Sequence, residues 1–243
     1  MSLFAWLRPV QPVLDDPQRQ RLAGFGAAPV LGDAALGKQR WVVLDLETSG
    51  LNVNRDQVLS IGAVVIEDGA IDFSQQFERT LHRHDHKLSP SVLIHGLGPS
   101  AIAAGCDPVE ALLDFMEFVG DSPLVAHNAA FDARFWDAEL ARITRKRQQE
   151  FACSLLLARR LMPQAPSHKL GALIEFARLP VAGRYHRALA DAEMAASLLL
   201  RLTDELRTRH QLPGISHAVL RSIQSTPRQQ LERCLARHRQ AAA

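Results

Sequence analysis

The chain has little of several things, and each shortage excludes something. Its cysteines number three, Cys106, Cys153 and Cys234, scattered and odd in count. That argues against a disulfide framework and for free thiols in a reducing, cytoplasmic setting. No apolar run approaches the roughly 20 residues of a membrane span, so no membrane association is expected. The opening MSLFAWLRPV has an apolar patch but no basic n-region and no small-residue cleavage site, so no signal peptide is expected. Internal repeats and low-complexity tracts are absent. Net charge is only +2, so no global field announces a polyanionic partner. What charge there is lies unevenly: from residue 205 onward, seven arginines stand against two acids. That stretch could touch phosphates or could be a solvated basic helix.

What is present suits a globular α/β chain. Its 243 residues, 47% hydrophobic, are enough for one substantial domain with appendages. Residues 1–40 carry scattered Pro and Gly; Asp16-Pro17 predicts a helix start and Gly24 its end, in an arm packed on the main domain. Residues 41–47 read as a strand and LNVNRDQ as a polar loop. VLSIGAVVIEDGAIDFSQQFERTL reads as two strands joined at Asp68-Gly69, which makes a three-strand meander. Residues 82–106 are loop-rich. Asp107, Pro108 and Glu110 start a helix whose apolar face is Val109, Leu112, Leu113, Met116 and Val119. PLVAHN, 123–128, reads as a short buried strand, followed by a helix from about 129 to 143. A strand end and a helix are expected over 151–161, then a helix capped by Ser167 and running to about Arg178, then a long helix from Arg187 to Arg209. Residues 206–243 are expected to be a helical or partly disordered basic tail. Strands first, then helices alternating with short strands, predict a mixed central sheet flanked by helices.

Four acids do not suit their surroundings. In WVVLDLETSGL, 41–51, Asp45 and Glu47 interrupt a core strand. Strand side chains alternate faces, so both point the same way and repel unless they share a proton or a cation. On this stretch alone, a strand end reaching solvent explains them equally well. Asp132 falls on one helical face with Trp136, Leu140 and Ile143. A carboxylate at a helix start is electrostatically favourable, but that does not explain why it faces the sheet. On the last long helix, Asp191 borders the stripe Ala188, Ala192, Ala195, Leu199, Leu202 and Leu206. A capping role is not expected of it, since the helix starts ahead of it. Together these acids predict hard divalent cations, Mg²⁺ or Mn²⁺, held as a pair roughly 4 Å apart of the kind used in phosphoryl transfer. His186, on the loop before Asp191, is either a surface histidine or a base able to deprotonate water beside the cluster.

With these residues assembled, the chain resembles the DnaQ-like 3′→5′ exonucleases of the DEDD superfamily, the proofreading epsilon-subunit type. The resemblance rests on DLETSGL at 45–51, HNAAFD at 127–132 and HRALADA at 186–192, and covers roughly residues 41–205. It implies a ribonuclease-H-like exonuclease domain in which Asp45, Glu47, Asp132 and Asp191 hold two divalent ions. His186, five residues before Asp191, would be the general base. The tyrosine of the sister branch would fall at Arg187, so the chain is similar to the histidine branch. Ile94-His95-Gly96 matches a loop that approaches the terminal nucleotide. Thr48, Ser49 and Gly50 would meet the 3′ end and Leu51 would pack on a base; Asn128 and Phe131 in the second motif are further substrate-binding candidates. Ser49 departs from the commoner Thr. The reaction implied is hydrolysis of the last phosphodiester of single-stranded DNA, with release of nucleoside 5′-monophosphates, Glu47 near the scissile phosphate, and service to a polymerase or clamp.

Rival readings exist. An RNA-trimming enzyme would use the same residues, and a catalytically silent scaffold of a polymerase complex would be expected to lose an acid or His186, which this chain keeps. His82, His84 and His86 alternate in HRHDH and could form a zinc site, or could open a polar loop. QLPGI, 211–215, resembles a sliding-clamp-binding peptide, a short pattern that also arises by chance.

Overall fold

The computed structural model describes residues 12–25, 40–83, 96–181 and 186–241. Its sheet contains β1 (Trp41–Thr48), β2 (Val58–Glu67), β3 (Ala70–Thr80), β4 (Leu124–Ala126) and β5 (Phe151–Cys153), in the spatial order β3-β2-β1-β4-β5. The first three form the expected antiparallel meander. Asp68 and Gly69 both have positive φ, 51° and 75°, as a two-residue hairpin turn of the type that matches strand twist requires. β4 runs parallel to β1, and β5 parallel to β4, so the sheet is mixed. The buried strand expected over 123–128 is shorter, only Leu124–Ala126, because the chain turns away at Asn128 into a helix.

The helices of the described residues are α1 (Asp16–Gly24), α2 (Pro99–Ala103), α3 (Pro108–Val119), α4 (Ala129–Arg142), α5 (Ser154–Leu161), α6 (Leu170–Phe176), α7 (Ala188–Thr208), α8 (His217–Ser225) and α9 (Leu231–Ala241). Both faces of the sheet are covered, which is why β1 reads as a nearly unbroken apolar run. Val42, Leu44 and Leu46 pack with α3 and α4, through Leu112, Phe115, Phe135 and Trp136. Trp41 and Val43 pack on the opposite face with α5 to α9, where Leu157, Leu173, Leu199 and Leu202 are buried.

Caps follow their sequence signals with two exceptions. Asp107 accepts hydrogen bonds from the N–H groups of Val109 and Glu110, as the start of α3 predicted. The cap of α1 is Asp15 rather than Asp16: its side chain pairs reciprocally with Gln18, and Pro17 falls one position deeper. Ser167 does not cap α6. Its hydroxyl accepts from the Lys169 N–H two residues on, a local turn ahead of the helix. That helix closes at Phe176, before Arg178, because Arg178 adopts a left-handed φ of 53°. The N–H groups of Arg178 and Leu179 then satisfy the carbonyls of Glu175 and Ile174.

The terminal segments are tied to the same body. Arg21 of α1 lies 2.6, 2.8 and 2.9 Å from Glu110, Asp114 and Glu117, three acids on one face of α3. In the basic tail, Leu220, Ile223, Leu231, Cys234 and Leu235 enter the core cluster that contains Trp41. So do Leu212 and Ile215, only 1% and 8% exposed. Leu212 and Ile215 of QLPGI therefore face inward and are not available as anchors for a clamp groove. Among the described residues, no helix is long and apolar enough to cross a membrane.

One glycine decides how closely a helix meets the sheet. A Cβ at Gly62 would lie 2.1 Å from the Ala188 carbonyl carbon and from the Leu189 nitrogen. The first turn of α7 thus rests directly on the backbone of β2. Gly62→Ala is expected to lower stability by about 1–3 kcal/mol, the usual range for overpacking, as measured by urea denaturation. An unchanged midpoint would mean that α7 can stand farther off at no penalty.

Candidate metal centre

Gly62 is paired with Asp45 across β1 and β2, and Ser60 with Glu47. The helix that Gly62 admits therefore arrives beside both acids, and α7 carries Asp191 in its first turn. Carboxylate oxygens of Asp45, Glu47 and Asp191 all lie within 4.8 Å of one another. Oδ2 of Asp191 accepts a hydrogen bond from the His186 N–H at 3.2 Å. The carboxylate does therefore brace the chain entering α7, contrary to the sequence expectation. Its Oδ1 is buried and has no hydrogen-bond partner.

Asp132 reaches the site from the other face. The Val42 N–H bonds to the Pro123 carbonyl, so alternate N–H groups of β1 point toward β4. β4 ends at Ala126, which leaves the Leu46 N–H beyond any strand partner. Oδ1 of Asp132 accepts from it at 3.2 Å. The sequence grouped four acids as equals. The structure brings three within ligand distance of one another and leaves Asp132, 2% exposed, bonded to the Leu46 N–H outside that group. Its charge is nonetheless the largest that acts on Asp45.

Desolvation dominates the electrostatics. Burial, then the charges of Asp132, Glu47 and Asp191, pushes the Asp45 carboxyl well above the ordinary range. Burial and then Asp191 push Glu47 up to about 7, against the pull of Arg187. Asp132 is pushed up to about 8, chiefly by burial. Burial also raises Asp191, opposed by His186. Such acids stay protonated or need a cation. The donor set is all oxygen, one buried oxygen is orphaned, and the spacing is right for a shared ion, so the residues fit a hard divalent metal.

The other predicted site residues fall around this cluster. Thr48 is buried and donates to the Gly50 carbonyl at 2.6 Å. Ser49 accepts from the Gln57 N–H and contacts Asp56, which also accepts from the Asn52 N–H at 2.8 Å. A Cβ at Gly50 would strike that Asp56 carboxylate. Leu51 is left 83% exposed on this loop. Asn128 is exposed, with a left-handed φ of 67°; Phe131 leans on Phe135, ring centres 4.8 Å apart. His186 is exposed, has a φ of 61°, and lines a cavity of about 1070 Å³ together with Asp191. His95 and Ile94 lie outside the described residues, as do His84 and His86. Nδ1 of His82 faces the Ala103 carbonyl at 2.9 Å.

Sequence reasoning missed four supports. Asp56 organises the loop after β1. Glu139 and Arg83 form a buried pair at 2.6 Å, and both also bond Val58, which fixes where β2 begins. His127 bridges Ser154 and the His168 carbonyl. Gly62 alone carried a local signal, a glycine inside a strand pattern, which marks a close backbone approach.

Comparisons with known proteins agree with this geometry. The sequence profile of a family described as Exonuclease matches residues 42–199. DNA polymerase III PolC-type from Bacillus subtilis (strain 168) is 30% identical over 179 residues, which are 72% of this chain but 12% of that protein. The chain thus spans about an eighth of the length of the curated relatives it matches. A structure of exonuclease X in complex with 5′-overhanging duplex DNA shares 27% identity at a TM-score of 0.53, over 68% of this chain and 91% of that one. The zinc-bound form of an Escherichia coli exonuclease I–single-stranded DNA complex shares the fold at a TM-score of 0.58 and 17% identity, over 71% of this chain and 43% of that one.

The raised carboxyls set a sign for stability. Between the ordinary carboxylate range and the values of about 7 and 8 at Glu47 and Asp132, the folded chain holds protons that the unfolded chain has released. Without metal, these groups therefore make stability fall as pH rises through that window. The lowered imidazoles of His127 and His217 pull the opposite way, so the informative quantity is a difference. In chelator, melting temperature should fall more steeply from pH 5 to pH 8 in wild type than in Asp45→Asn, and Mn²⁺ should flatten the wild-type slope. Parallel slopes for the two proteins would show that the cluster does not titrate as described.

Proposed function

The chain belongs to the Exonuclease family, and from that premise we propose that it is a 3′→5′ exonuclease removing nucleotides from the end of single-stranded DNA. The carrying observation is the trio Asp45, Glu47 and Asp191, with the buried Asp191 Oδ1 left without a partner. Residues 41–205 form the catalytic unit in this proposal. Asp45, Glu47 and Asp191 hold two Mg²⁺ or Mn²⁺ ions, with Asp132 completing the set. Bound ions of this kind supply positive charge against a phosphodiester and ease deprotonation of a water.

The chain's own residues do the rest. His186, which lines the cavity together with Asp191, takes the proton of the attacking water at an imidazole nitrogen. Thr48, at the end of β1, and Ser49 and Gly50, on the loop braced by Asp56, meet the 3′ end. Leu51 and Phe131 pack on the terminal base, Asn128 binds nearby, and His95 is carried as a further substrate-binding residue from the sequence resemblance alone. The resemblance to PolC-type polymerases supports work beside a DNA polymerase, in replication or repair. Purified protein with Mg²⁺ or Mn²⁺ should release 5′-mononucleotides from the 3′ end of labelled single-stranded DNA, and excess chelator should stop it. Faster decay of RNA of equal sequence would reassign the substrate. Cutting of a closed circle as fast as of the linear strand would rule out an exonuclease.

His186→Ala should lower turnover by about 10²–10⁴-fold, the range for acid–base catalysis, while Mn²⁺ titrations stay near wild type because the ligands are carboxylates. His186→Gln should be no better, since an amide cannot accept the proton. Added imidazole should restore part of the activity to the alanine variant. Near-normal turnover without His186 would make it a bystander.

A further inference from the structure

The cavity beside Asp191 is larger than one nucleophilic water needs. Its lining includes Arg159, in the last turn of α5, and Lys169, just ahead of α6. Both are exposed, and among the described residues neither makes an ion pair. This contrasts with Arg21, Arg83 and Arg147, each matched to a carboxylate. Among the described residues, one carboxylate besides Asp191 lines the cavity, Glu175.

One imidazole helps to hold this part of the lining in place, beside the strand pairing of Ala126 with Cys153. His127 follows β4, and its Nε2 lies 3.1 Å from the His168 carbonyl. A carbonyl can only accept, so Nε2 carries the proton and Nδ1 accepts from the Ser154 hydroxyl at 3.0 Å. Ser154 opens α5, which bears Arg159; His168 precedes Lys169. His127 thus ties both cation-bearing segments to the end of β4. Burial pushes its ring down to about 4, so the tie adds no charge of its own near neutral pH.

We propose that this cavity is a subsite for the sugar–phosphate backbone of the strand on the 5′ side of the reacting phosphodiester, with Arg159 and Lys169 contacting phosphates and His127 as the positioning residue. The proposal rests on the exonuclease reading above. Unpaired cations on a concave wall suit phosphates, whose contacts position a strand without reading its sequence. Their binding should carry the salt dependence of counterion release.

The test is steady-state hydrolysis of oligothymidylate over a range of salt concentrations. Arg159→Ala and Lys169→Ala should each raise KM several-fold, by more than they lower kcat. Each should also reduce the slope of log KM against log salt by about 0.7, the single-strand value for one lost contact. Glu175→Gln should move KM the other way. His127→Ala should raise KM with Mn²⁺ affinity unchanged, and His127→Gln, whose amide can both donate and accept, should recover part of the loss; melting curves identify any variant that has unfolded. Arg228→Ala, outside the cavity, is the control and should match wild type. If wild type degrades the oligonucleotide while the Arg159 and Lys169 variants keep its KM and salt slope, the subsite is overturned and the exonuclease reading stands. If wild type degrades nothing with either metal, the exonuclease reading fails and the subsite with it.

Discussion

Three carboxylates held within 4.8 Å of one another, against both their mutual repulsion and the loss of water, are the constraint around which this fold is arranged. Two come from β1, where alternation puts Asp45 and Glu47 on one face. The third can join them only because Gly62 lets the first turn of α7 lie on the sheet. Neither contact is favourable to the acids by itself. The apolar packing of Trp41, Val43 and the α7 leucines holds the arrangement together, and the residues that suffer from it are those suited to a metal.

The short length of β4 has a complementary effect. Had it continued past Ala126, its carbonyls would have taken the Leu46 N–H, and Asp132 would have no entry. Ending early frees that N–H for a carboxylate and starts α4 across the strand end. The turn requires Asn128 in a left-handed conformation, and His186 is left-handed as well. Two non-glycine residues with positive φ thus flank one cluster, which fits the tendency of backbone strain to collect at working sites. Asp45, Asn128 and Ser154 all lie near the carboxyl ends of parallel strands, where crevices of open α/β sheets take ligands.

Much of this was legible in the sequence, for physical reasons. Strand alternation paired Asp45 with Glu47, and helical spacing put Asp132 with Trp136 and Leu140. The Asp68-Gly69 turn could only close a hairpin. Local periodicity needs no knowledge of partners. What stayed hidden depends on partners far along the chain: Arg83 with Glu139, His127 with Ser154 and His168, and Arg21 with three acids of α3. The hydroxyl of Ser167 has the sequence signature of a cap, yet such a side chain bonds equally well to an N–H two residues on, which makes a turn. QLPGI was ambiguous because a short apolar motif looks the same whether its leucine faces a partner or its own core.

Net charge was the least informative number, and the structure explains why. A value of +2 suggests indifference to polyanions. Yet the acids are not spread evenly among the bases. Arg21 alone engages three carboxylates, Arg83 lies against Glu139, and Arg147 lies against Asp137. Three further acids crowd at Asp45, Glu47 and Asp191, where divalent ions would more than cancel them. Once both groups are set aside, among the described residues the cations lining the cavity, Arg159 and Lys169, outnumber the one remaining acid there, Glu175. The field a strand would meet there is local and positive, and it would become more so when the carboxylates bind metal. Attraction for a phosphate chain in this fold is therefore a matter of which charges are already engaged, which a sum over the sequence does not contain.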